Sequence, residues 1–154
     1  MLTIEDGTGV PGADTFIDLA ECADLEVRYF GQALDRSEAE KEAALRRAFL
    51  YLGALEWRAD AFPLFSGDIP DAVKAAQMAL ARAEAQSVGF LTPDVTLSGK
   101  KVLTGGKGIT WTVQAAPNTV EAARPVVTFA MDLLRPYLVR DPAQSGGTRF
   151  LERA

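Results

Sequence analysis

The sequence predicts a mainly α protein, a small helical bundle with an inserted β-hairpin and an extended C-terminal arm. Four segments combine helical apolar periodicity with start or stop signals, and the period changes to alternation after residue 94. A Ser-Gly-Gly joint then separates the last apolar helix from the end of the chain. We predict a helical domain at residues 1–140, with the hairpin at about 95–114, and an arm at 141–154.

The first helix is predicted from turn chemistry and periodicity. A glycine-rich opening precedes Asp14 and Thr15, either of which is expected to cap a helix over residues 16–30, and Gly31 is a natural stop. Its apolar positions recur at steps of three and four residues: Phe16, Leu19, Ala20, Ala23 and Val27. Cys22 is expected to be a packed residue rather than a nucleophile.

The second helix has the strongest local signal in the chain. Ser37 and Glu40 form a capping box, in which each side chain accepts a backbone N–H of the other residue. The helix is expected to run to about Trp57. Its expected buried stripe is Leu45, Ala48, Phe49, Leu52 and Leu55, with Lys41, Glu42, Arg46 and Arg47 facing water.

Two further helices begin near prolines. Pro70 suits a first helical position, and the alanine-rich segment to about Gln86 is expected to be the tightly packed central helix. Pro125 is expected to restart a helix that continues through Leu138, with a kink at Pro136.

The alternating segment predicts a hairpin whose turn is Gly105–Gly108. Because a lone hairpin is marginal in water, it is expected to pack on the helices or on strands of other chains. Its candidate inter-subunit or channel residues are Lys101, Lys107, Ile109, Trp111 and Val113. The turn is not a phosphate loop, because Lys101 stands where that motif needs glycine and Gly108 where it needs serine or threonine.

The final segment joins two apolar residues to two arginines. Arg149, Phe150, Leu151 and Arg153 lie beyond the flexible joint, where a self-contained domain has little need of apolar side chains. These four residues are the candidate contact arm for another chain. Two alternatives stay open: the arm folds back on its own domain, or it frays as an ordinary terminus.

Composition argues against an enzyme. The chain has no histidine and a single cysteine, Cys22, which excludes Ser-His-Asp and Cys-His chemistry and an internal disulfide. Glu38 and Glu42 share a helical spacing, but a solvated face is the commoner role for such a pair. We expect no catalytic residues, cofactor or metal. A carboxylate-dependent enzyme is a weaker alternative with no supporting geometry.

Charge is distributed unevenly along the chain. Residues 1–40 hold ten acidic residues against two arginines, and residues 41–154 hold eleven acidic residues against fourteen basic ones. This polarity suits head-to-tail contact between identical subunits or docking on an acidic partner, and it also fits an ordinary solvated surface. No apolar run approaches the length of a membrane span, and the N-terminus lacks the basic and apolar regions of a signal peptide.

Four segments together resemble a family of small tailed-phage proteins. They are Glu5–Phe16, Lys41–Ala48, Ile69–Ala76 and Ser145–Arg153. Members are often labelled DnaT-like single-stranded-DNA-binding proteins, whereas their size and their similarity to head-completion proteins suggest head–tail connectors, or adaptors, of long-tailed phages. The loop at Phe62–Gly67 departs from the family's basic Pro-Arg-x-Gly pattern, which weakens a DNA-binding role.

The resemblance implies a non-enzymatic virion protein, made in the host cytoplasm, that forms a ring of about twelve subunits beneath the portal. Its partners would be the portal protein, neighbouring identical subunits and a downstream stopper or tail-terminator protein, with passing contact to genomic DNA in the channel and no membrane. The arm would reach the portal.

The alternative hypothesis is a single-stranded-DNA-binding replication accessory protein. Aromatic residues in the basic C-terminal portion, Trp111 among them, would stack on bases while Lys107 contacts phosphates. The sequence pI of about 4.8 opposes it.

Overall fold

The structure, a computed structural model, describes residues 1–61, 68–92 and 125–139. In these ranges the protein is mainly helical. Its helices are α1 (Leu19–Phe30), α2 (Glu38–Gly53), α3 (Asp71–Gln86) and α4 (Thr128–Leu134). No helix in the described ranges is both long and apolar enough to cross a membrane.

The alanine-rich helix α3 is the centre of the core, as its composition predicted. Ten of its sixteen residues are buried, and it packs most extensively against α2 and α4 and also contacts α1. Alanine side chains allow this close approach on several sides at little conformational cost. Pro70 occupies the N-cap, one residue before the helix, rather than the first helical position.

The prediction for the start of α1 was wrong. Asp18 caps the helix by accepting the N–H of Glu21, so the helix begins at Leu19. Asp14 instead accepts the N–H of Thr3, and Thr15 is buried with its hydroxyl donating to the Ile17 carbonyl. Both residues that were predicted to cap the helix therefore make tertiary or turn contacts instead. The local sequence does not reveal that these contacts compete with capping.

The predicted buried face of α1 was also displaced. Cys22, Leu25 and Glu26 are buried, whereas Ala20 is exposed and Val27 is 53% exposed. Glu26 places a buried carboxylate of α1 in the core, which the apolar periodicity of the helix does not predict. Cys22 is packed as expected, and burial raises the pKa of its thiol to about 12.

Helix α2 begins with the predicted capping box and ends earlier than predicted. The Ser37 hydroxyl oxygen accepts the Glu40 N–H, and the Glu40 carboxylate accepts the Ser37 N–H. The helix stops at Gly53, and the Trp57 indole N–H donates to the Leu52 carbonyl 2.9 Å away. Its core residues are Ala44, Leu45, Ala48, Tyr51 and Leu52, so Tyr51 was missed and Phe49 and Leu55 are only partly buried.

Ser37→Ala is expected to destabilise the protein by about 1 kcal/mol, because α2 then loses the oxygen that satisfies one of its first backbone N–H groups. Urea unfolding of the variant measures this loss. Ser37→Thr, which keeps the capping hydroxyl, should lie close to wild-type stability. Equal stability of the alanine variant would contradict a capping role.

The last helix is shorter than predicted. Helix α4 covers Thr128–Leu134 instead of extending from Pro125 to Leu138, and residues 135–137 form a turn. Beyond it, Leu138 pairs with Trp57 in an isolated antiparallel bridge, and the Val139 N–H donates to the Glu56 carbonyl. The chain after α4 therefore leaves the helix to make backbone contacts with the segment that follows α2.

The predicted hairpin and C-terminal arm lie outside the described residues. Within the ranges that are described, no strand of a sheet is present, and β-type pairing is confined to isolated bridges at Ile4–Thr15 and Trp57–Leu138. The hairpin, the arm and the division at residue 140 stay predictions.

Candidate functional site

A group of partly exposed aromatic rings joins α1 to α4. We call Tyr29, Phe30 and Phe129, together with Arg82, the aromatic surface cluster. The Phe129 ring centroid lies 5.5 Å from that of Tyr29 and 5.6 Å from that of Phe30, with both pairs meeting edge-on. Tyr29 and Phe30 are each 43% exposed and Phe129 is 38% exposed. Large apolar side chains are thus presented to solvent next to one another.

Local sequence and packing explain this placement. Tyr29 and Phe30 occupy consecutive positions in the last turn of α1, and Gly31 ends the helix in a left-handed conformation with φ of 79°. In α4, Ala130 and Leu134 are fully buried. The burial of these two residues fixes the short helix on the core and leaves Phe129 at the edge facing α1.

Arg82 on α3 supports the cluster from one side. Its guanidinium carbon lies 4.8 Å from the Phe30 ring centroid, within the range of a cation–π contact. The same guanidinium is 3.4 Å from a Glu26 carboxylate oxygen and donates to the Gln32 carbonyl. The other Glu26 oxygen accepts the N–H of Leu34, so the turn after α1 is held by the same pair.

A buried carboxylate accepts hydrogen bonds from the backbone just before residue 93. Glu84 is fully buried, and its two oxygens accept the N–H groups of Gly89 at 2.7 Å and Leu91 at 2.9 Å. The Arg47 guanidinium lies 3.3 Å from the first oxygen. At the other end of the segment, the Tyr51 hydroxyl donates to the Pro125 carbonyl at 2.9 Å. Residues 93–124 are therefore bounded by two fixed points on the helical core.

A second buried polar group ties the N-terminal loop to the core. The Gln77 carbonyl oxygen accepts the Phe16 N–H at 2.9 Å, and its amide donates to the Thr15 hydroxyl and the Leu45 carbonyl. Every polar atom of this fully buried side chain thus has a partner. On the surface, Arg46 contacts Asp14. Burial is the largest single influence on the Asp14 carboxyl and raises its pKa, but the Arg46 contact and the hydrogen bond from the Thr3 N–H together leave the pKa below its ordinary value.

The described surface carries an acidic excess. Residues 1–61, 68–92 and 125–139 together contain seventeen acidic and nine basic residues, which gives a net charge of −8. In those same ranges no group of three or more potential ligands among His, Cys, Asp and Glu is placed to hold a metal ion. Glu42, one of the two candidate acids, pairs with Arg46.

The site residues predicted from the sequence lie outside the described residues. This applies to the hairpin set Lys101, Lys107, Ile109, Trp111 and Val113 and to the arm residues Arg149, Phe150, Leu151 and Arg153. The aromatic surface cluster was not predicted. A signal existed, because consecutive helical residues such as Tyr29 and Phe30 point in different directions and rarely share one core.

The described part is a small helical domain with partly exposed aromatic rings at its surface. A family model described as "Putative DnaT-like ssDNA binding protein" matches residues 1–61. The matched segment contains α1 and α2 and contributes Tyr29 and Phe30 to the aromatic surface cluster. No curated protein and no solved structure matches the chain significantly.

Proposed function

We propose that this protein is a non-enzymatic accessory protein that binds single-stranded DNA. The observation that carries the proposal is the similarity of residues 1–61 to the DnaT-like single-stranded-DNA-binding family. This similarity covers α1 and α2, which both pack on α3. It favours the alternative hypothesis of a single-stranded-DNA-binding replication accessory protein.

Electrostatics indicates which part of the chain contacts the phosphates. The described ranges have a balance of −8, which repels a polyanion. Residues 93–124 and 140–154 together contain seven basic and four acidic residues. Phosphate contacts are therefore assigned to these segments, with Lys101 and Lys107 as the first candidates and Trp111 as a base-stacking residue. The helical core anchors the first segment at Leu91 and Pro125.

A titration of the full chain with fluorescein-labelled oligo-dT, followed by anisotropy at several salt concentrations, tests this proposal. We expect a Kd in the nanomolar-to-micromolar range that weakens steeply with salt. Lys107→Ser should reduce the slope of log K against log salt by about 0.7, the contribution of one phosphate contact to a single strand.

Lys41→Ser is the matched control, because it removes a lysine from the first half of α2, within the described ranges that carry the acidic balance. Its salt slope should equal that of the wild type. A flat titration of the wild type at low salt would reject DNA binding altogether.

A second candidate is the ring-forming head–tail adaptor that the resemblance implies. The acidic balance of the described surface favours it, because such a surface suits protein contacts better than contacts with DNA phosphates. In this proposal Arg149, Phe150, Leu151 and Arg153 anchor the chain on a portal protein. Truncation after Ser145 should abolish capture by portals; undiminished capture would exclude the arm as the anchor.

A further inference from the structure

We propose that the aromatic surface cluster is a base-stacking platform for single-stranded nucleic acid. This inference rests on the proposed function and adds a second contact site to it, within the described helical domain. Two of the rings, Tyr29 and Phe30, lie inside the segment that is similar to the DnaT-like family, and the third, Phe129, comes from α4.

The ring geometry suits stacking. Tyr29 and Phe30 meet Phe129 at interplanar angles of 65° and 63°. Because these pairs are edge-on, each contact covers a face of one of its two rings rather than a face of both. A nucleobase binds an aromatic side chain through such a face, without needing a particular sequence. The Arg82 guanidinium already occupies a position over Phe30, which leaves Tyr29 and Phe129 as the main stacking rings.

The rings of the platform are in contact with one another before the ligand arrives. Phe129 contacts both other rings, and Arg82 is held by Glu26 and by the Gln32 carbonyl as well as by Phe30. A preformed arrangement reduces the side-chain ordering that binding must otherwise offset. Binding of a flat ligand to this cluster should therefore cost less side-chain ordering than binding to isolated surface rings.

Local charge indicates how this site contributes. Arg28, next to Tyr29, is exposed, whereas the Arg82 charge lies close to Glu26. Asp132 of α4 and Arg135, the first residue after this helix, pair with each other. The cluster thus offers about one cation for phosphates, so its contribution comes from bases rather than from counterion release. Binding at the cluster should depend on bases and be nearly independent of salt.

The test compares two probes of equal length, oligo-dT and an abasic oligonucleotide that keeps the phosphates but lacks the bases. The full chain should bind oligo-dT more tightly than the abasic strand. Phe129→Ala should weaken oligo-dT binding by about 5- to 150-fold, the usual range for one stacked base, without changing the salt slope. It should leave the abasic affinity unchanged. Phe129→Tyr should restore the preference for bases.

Leu50→Ala is the matched control, because Leu50 is an exposed apolar residue of α2 outside the cluster. Tyr29→Ala and Tyr29→Phe form a second pair in α1, where only the alanine variant should lose base preference. This pair keeps the test valid if Phe129→Ala fails to fold.

The outcomes separate the two proposals. If the wild type binds neither probe, the proposed function and this inference both fail. If it binds oligo-dT and neither alanine variant changes base preference, only the stacking platform is rejected. A third outcome is a lower oligomer mass of the alanine variants than of the wild type by light scattering, together with an unchanged affinity for DNA. That result would also reject the stacking platform and would assign the cluster to contact between protein chains.

Discussion

Glu84→Leu is expected to destabilise the protein by about 2–5 kcal/mol. The change keeps a side chain of similar size but removes both acceptors of the Gly89 and Leu91 N–H groups. Leu91 is itself buried, so water cannot freely replace the lost bond. Arg47 loses its anionic partner as well, although its partial exposure lets water compensate for part of that loss.

Urea unfolding and native-state amide exchange measure this effect. The exchange of the Gly89 and Leu91 amides should accelerate more than that of the α2 amides, because the substitution opens the turn after α3 locally. Glu84→Gln retains one acceptor and should lie between the leucine variant and the wild type.

Glu38→Gln is the control, because Glu38 is an exposed carboxylate in the first turn of α2. It should change stability by no more than about 0.5 kcal/mol. Wild-type exchange at Gly89 and Leu91 in the Glu84→Leu variant would show that the carboxylate does not hold this turn.

Gln77→Met is expected to destabilise the protein by about 2–4 kcal/mol. Methionine has nearly the shape of glutamine, so the substitution removes hydrogen bonds and leaves the volume of the core almost unchanged. The Phe16 N–H loses its acceptor, and the Leu45 carbonyl and Thr15 hydroxyl each lose a donor. Because two of these groups belong to the N-terminal loop and the third to α2, the N-terminal loop should detach from α2 and α3 more readily.

Thermal unfolding and proteolysis of the N-terminal loop measure that detachment. Gln86→Met places the same substitution at an exposed position of the same helix and should be nearly neutral. Should the two variants unfold at the same temperature, the Gln77 hydrogen bonds would contribute no net stability.

These buried polar groups also bear on the proposed function. Glu84 lies at the end of α3 and holds the turn after which residues 93–124 begin, and Tyr51 holds Pro125, where that segment ends. Phosphate contacts proposed for Lys101 and Lys107 would therefore extend from fixed points on the helical core. Substitution of Glu84 is expected to weaken DNA binding only through this loss of anchoring.

Helices whose signals are local were predicted well from the sequence. Ser37 and Glu40 are three residues apart, so the capping box forms from contacts within one helical turn. The alanine content of α3 likewise predicted its central position, because small side chains permit packing on several sides. The burial of Cys22 was predicted from its residue type and its position within a helix.

Helix ends that depend on distant residues were predicted poorly. Asp14 has the side chain of a good cap, but it contacts Arg46, which is 32 residues away, and Asp18 caps α1 instead. Similarly, α4 was predicted to continue to Leu138, where pairing with Trp57 outweighs helical periodicity.

The sequence alone determined the helical class, the capping box of α2, the central role of α3 and the uneven distribution of charge along the chain. Only the tertiary structure decided which face of α1 is buried, and with it the meeting of Tyr29 and Phe30 with Phe129, about a hundred residues further along the chain. The physical reason is that capping and propensity act within a few residues. The position of a ring on the surface depends instead on how separate helices share one core.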